Sequence, residues 1–79
     1  MGRYEKGMLA RSKAGHDEGR VYIIADTDDA YVYLADGRIR TLDNLKKKKK
    51  KHVCRKYDII GMDDVEIKRI IKEWVRKEE

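Results

Sequence analysis

Lys46, Lys47, Lys48, Lys49, Lys50 and Lys51 follow one another without interruption, behind Arg38 and Arg40 and ahead of His52, Arg55 and Lys56. An ammonium on a flexible stem is a compact point charge. It is poor at two-pronged reading of a base edge but well suited to neutralising phosphates and releasing their counterions. From residue 38 to residue 56, ten Lys/Arg stand against one acid, Asp43, a local charge of +9. Residues 1–37 and 57–79 each hold five basic and seven acidic side chains, −2 apiece, which returns the formal +5 of the whole chain. Charge gathered in one stripe between weakly acidic flanks is the footprint of a protein whose partner is a polyanion. A solvated, self-repelling loop or a nuclear localisation signal are the competing readings of the run. Six lysines in a row are denser than solubility requires.

Other residues could extend this chemistry. In Arg38-Ile39-Arg40-Thr41-Leu42, a strand that buries Ile39 projects both arginines from its outer face. There they fork onto phosphates or stack on unpaired bases. Lys13 and Arg20 flank a loop bracketed by Gly15 and Gly19, in which at least one residue needs positive φ. Glycine also lets backbone approach a phosphate, and His16 stands beside it as a stacking candidate. Tyr22, Tyr31 and Tyr33 could stack on bases, but a chain without Phe needs them for core and rim packing.

Enzymatic and metal chemistry find no support. His52 and Cys54 lack a third orienting group and an oxyanion site, and His52 reads as part of the cationic face. Asp26, Asp28 and Asp29 lack the spacing and closing Glu of a calcium loop and read as a turn. No cofactor and no small-molecule substrate are implied. The single cysteine favours a reducing compartment. No apolar run approaches a membrane span, and the N-terminus has neither a signal peptide nor, with Lys6 after Gly2, a myristoylation motif. The expectation is a cytoplasmic protein that does not engage a membrane.

The elements that must position these residues are short strands and one helix. Met8-Leu9-Ala10-Arg11-Ser12 is a weak strand candidate, and Arg20-Val21-Tyr22-Ile23-Ile24-Ala25-Asp26 is the strongest in the chain. Thr27-Asp28-Asp29 turns the chain into Ala30-Tyr31-Val32-Tyr33-Leu34-Ala35, whose alternation sets Tyr31 and Tyr33 on one face and Val32 and Leu34 on the other. Asp36-Gly37 signals a hairpin into a fourth strand, 38–42. The lysines then fill a basic loop, 44–52, and His52-Val53-Cys54-Arg55 closes the sheet. From Asp63, a helix cap with Glu66 in capping-box spacing, Ile67, Ile70, Ile71, Trp74 and Val75 recur at helical period. The expected fold is mainly β: a five-stranded barrel over residues 1–62, with one amphipathic helix, 63–79, packed on it within a single domain. The same helix face, Ile67, Ile70 and Trp74, could instead meet a partner helix or a second copy; a monomer is the expectation, because so small a core benefits from the extra burial.

Residues 7–21, strand, glycine loop and strand, look like a KOW motif. The ordered set Ala14-Gly15-x-Asp17-x-Gly19, Asp36-Gly37-x-x-Arg40 and Lys51-His52 is similar to the small bacterial KOW-domain RNA-binding proteins. These in turn resemble the large-subunit ribosomal proteins that carry a single KOW domain. The resemblance covers residues 7–53; the chain departs from the pattern at His16, where Arg is common, and at Leu45, where Pro usually opens the basic loop. It implies an SH3-like barrel that binds RNA, ribosomal RNA of the large subunit above all. The two readings kept beside it are a transcription-associated KOW module contacting polymerase or nascent RNA, and a protein-interaction adaptor working through the helix.

Overall fold

The computed structural model describes residues 4–59 and 63–78. Five antiparallel strands, β1 (Met8–Ser12), β2 (Val21–Thr27), β3 (Tyr31–Ala35), β4 (Lys46–Lys49) and β5 (Val53–Ile59), precede one helix, α1 (Asp64–Glu78). The strand order is β4-β3-β2-β1-β5, so the sheet ends on β4 and β5, which a single 3-10 turn, Lys50–His52, connects. Register shifts between Met8 and Ala10 and between Ile24 and Asp26 mark bulges, which bend and twist a sheet locally. The result is a curled half-barrel with a C-terminal helix, consistent with a small SH3-like barrel.

β2 explains the layering. Its first four residues, Val21, Tyr22, Ile23 and Ile24, are all buried, because the sheet is covered on both faces there. Tyr22 and Ile24 point into the curl with Met8, Ala10, Val32, Leu34 and Val53. Val21 and Ile23 point the other way, into a second cluster with Leu9, Ala35 and Ile67 of α1. Ile67 is fully buried, which contributes about 2–3 kcal/mol. Ile70, Ile71 and Trp74 pack against the same cluster, and the Arg11 guanidinium lies 5.4 Å from the Trp74 ring. The face considered for a partner helix or homodimer, Ile67, Ile70 and Trp74, is therefore the face α1 turns to its own sheet. Asp63 precedes the helix and accepts from the Val65 amide at 3.4 Å, while Glu66 pairs with Arg69 at 2.6 Å and does not reach back to complete a capping box.

Two expectations are corrected. Residues 38–42 form no strand. The Asp36 carboxylate accepts from the amides of Arg38 (2.8 Å) and Arg40 (3.0 Å), and the Asp36 amide bonds to the Arg40 carbonyl at 2.8 Å. This closes the chain into a turn where a hairpin was expected, and it leaves Ile39 71% exposed. The fourth strand is instead built from the lysines, within the segment expected to be the basic loop 44–52. Lys46, Lys47, Lys48 and Lys49 pair with Leu34, Tyr33, Val32 and Tyr31 of β3. His52 belongs to the turn before β5, and the expected closing strand begins one residue later, at Val53. The N-terminal targeting readings rest on residues 1–6, of which 1–3 lie outside the described residues, as do 60–62, where the barrel was expected to end. Among the described residues no helix is long and apolar enough to cross a membrane.

Candidate nucleic-acid interface

A strand sends successive side chains to opposite faces, and in β4 that rule divides the lysines into two jobs. Lys46 and Lys48 turn inward toward Asp17 in the loop between β1 and β2. Lys48 Nζ lies 2.6 Å from Asp17 Oδ1 and donates to the Ala14 carbonyl at 2.7 Å; Lys46 Nζ lies 3.3 Å from Asp17 Oδ2. Ser12 Oγ and Tyr22 Oη also donate to this carboxylate, at 3.0 and 3.1 Å. Burial alone would raise the Asp17 pKa, but the hydrogen bonds from Lys48, Ser12, Tyr22 and Lys46 outweigh it and hold the carboxyl well below its ordinary range. The Tyr22 phenol is pushed up to about 12 by burial and by the adjacent Asp17 charge.

Lys47 and Lys49 face outward and are exposed, as is Lys51 in the following turn. Lys47 Nζ sits 4.3 Å from the centre of the Tyr31 ring, and Lys50 Nζ 5.6 Å from that of Tyr4. Both are cation–π contacts, and Lys47 also lies within electrostatic reach of the Asp28 carboxylate. Tyr4 is itself fixed, its hydroxyl donating to the carbonyls of Lys50 and Val53 at 3.0 Å each. The Tyr33 hydroxyl donates to Asp28 at 2.7 Å, and that carboxylate also accepts from the Ala30 and Tyr31 amides. The Asp28 pKa is lowered, by that Tyr33 bond first; Asp28 and Asp29 lie in the turn into β3, but Asp26, read with them as a turn, belongs to β2.

The glycine loop lies against the same edge. Its amide at Lys13 donates to the His52 carbonyl at 2.7 Å, and both Gly15 (φ +85) and Gly19 (φ +90) adopt the left-handed conformation. Lys13, Gly15 and His16 are exposed, and His52 is half-buried. Thus Lys13 is joined to His52, and Gly15 lies beside the inward Lys48, whereas Lys47 and Lys49 project from the other face of β4. Arg20 and Arg38 do not join it. They line a cleft beside α1, and Arg40 is held in the Asp36 turn next to it. The expected single stripe is two separate basic surfaces.

Sequence reasoning named Asp17 only as part of the glycine loop and of the KOW-like set. Nothing in the sequence separated Asp17 from its neighbour Glu18; its pairing with β4 is a long-range contact. It also passed over Lys68, Lys72 and Arg76, whose four-residue spacing places them on one side of α1. Among the described residues, no group of three His, Cys, Asp or Glu side chains is arranged to hold a metal ion. In comparisons with known proteins, no family model matches the chain and no curated protein is significantly similar to it.

Proposed function

We propose that this is a non-catalytic RNA-binding module of the cytoplasm that lays the outer face of β4 and its following turn along structured RNA. The observation that carries the reading is the set of exposed ammonium groups of Lys47, Lys49 and Lys51 on one strand and the turn that follows it. A charged comb held by a sheet meets a phosphate backbone with little further ordering. The resemblance to single-KOW proteins, whose strand–loop–strand unit corresponds here to β1, the Asp17 loop and β2, favours ribosomal RNA of the large subunit. With Lys46 and Lys48 held by Asp17, about four cations, Lys47, Lys49, Lys50 and Lys51, remain for phosphates. Binding should therefore weaken on the order of a hundredfold between about 50 and 200 mM salt.

Sedimentation of the native protein with ribosomal subunits on sucrose gradients tests the ribosomal part. Retention in the large-subunit peak at low salt, whether or not it survives high salt, supports it. Recovery only at the top of the gradient at every salt would remove the ribosome and favour the polymerase-associated alternative.

A further inference from the structure

The second basic surface is an open cleft of about 840 Å³ between the end of the glycine loop, the Asp36 turn and α1. Arg20 and Arg38 line it from the sheet side, and Lys68, Lys72 and Arg76 from the helix. All five are exposed, and among the described residues none pairs with a carboxylate. The one acid in the lining, Asp36, already accepts the Arg38 and Arg40 amides. The rest of the lining is aliphatic: Val21, Ile39, Ile71 and Val75. Ile39 is 71% and Val75 37% exposed, so two of the three large apolar side chains left open to solvent among the described residues meet in this cleft.

We infer that the cleft binds an extended, acidic peptide segment in which aliphatic residues alternate with Asp or Glu. This goes beyond the RNA reading and rests on different residues. Five cations demand an anionic partner, and the exposed aliphatic surface demands that the partner bring apolar side chains. Nucleic acid satisfies only the first requirement well, because unpaired bases are held by stacking on aromatic rings, and no aromatic side chain lines the cleft. Spacing agrees with a peptide. Residues four apart on a helix rise about 6 Å, close to the roughly 6.6 Å between alternate residues of an extended chain. Carboxylates at every second position thus fall in step with Lys68, Lys72 and Arg76.

Selection of random dodecapeptides displayed on phage against the folded protein tests this, followed by amide chemical-shift mapping with the most enriched peptide. The expected result is enrichment of Asp and Glu interspersed with Leu, Ile or Val, and shifts clustered on the cleft. Affinity should fall at least about tenfold in an Ile39→Ser/Lys72→Glu variant and stay within about twofold in Lys47→Gln/Lys49→Gln. Ile39 and Lys72 are exposed, so the variant should keep its fold, which its own amide spectrum verifies. Failure to enrich acidic sequences, or shifts on β4 in place of the cleft, would overturn the inference. So would a uridine dodecamer that shifts the cleft amides and displaces the peptide, which would assign the cleft to RNA.

Discussion

Asp17 joins the two parts of the basic edge: one carboxylate, 8% exposed, receives Lys46, Lys48, Ser12 and Tyr22 at once. Replacing it by Asn removes the charge while leaving two ammonium groups packed against a neutral amide. Asp17→Asn should lower stability by about 2–4 kcal/mol, read by chemical denaturation. The pH dependence follows from the sign of the shift. A carboxyl whose pKa is lower folded than unfolded stabilises fully above its unfolded value near 3.8. That contribution disappears as pH falls through the folded value. Native stability should therefore drop below about pH 4 more steeply than that of Asp17→Asn, and parallel curves would contradict the assignment. The alternation of β4 makes a sharper prediction with neighbouring residues. Lys48→Gln should destabilise the fold by about 1–3 kcal/mol. Lys47→Gln and Lys49→Gln should each change stability by less than about 0.5 kcal/mol while weakening RNA.

At the scale of elements, the turn 36–40 and α1 hold one another. The Leu42 amide donates to Asp64 at 2.9 Å, and Gly37, at φ +77, lies so close to the helix that an added Cβ would press on the Asp64 carbonyl and come within 2.9 Å of the Lys68 backbone. Gly37→Ala should cost more than about 2 kcal/mol, because backbone strain and a clash with helix backbone combine; thermal unfolding reads it directly. This docking also explains where sequence reasoning succeeded and failed. β2 was legible from its run of β-branched and aromatic residues, and β3 and α1 from apolar residues repeating at strand or helix period; β1 was the faintest of the four. The fourth strand was not. Ile39 sits in a strand-like alternation, yet three hydrogen bonds around Asp36 close a local turn that periodicity does not register. Lys46, Lys47, Lys48 and Lys49 have no apolar alternation at all. Their strand depends on pairing with β3 and on an acid twenty-nine or more positions away in the chain, both non-local facts. Lysines on a sheet edge also discourage pairing with other chains, so the strand serves the fold whatever it binds. The charge of the site was legible from the sequence; its division between an outward comb and a separate cleft was not.

For the whole molecule, the arrangement is a sheet buried on both faces that presents one basic surface along β4 and another beside α1. Electrostatic attraction should speed association with RNA, and only the outward comb should set how many counterions leave. The most direct test is the salt dependence of affinity for a large-subunit ribosomal RNA fragment, measured for the native protein and for Lys47→Gln/Lys49→Gln/Lys51→Gln. The account predicts a native slope of log K against log salt of roughly −3, reduced by about two in the triple variant, with the melting temperature unchanged. A native slope near zero, or one that the triple variant leaves intact, would contradict it.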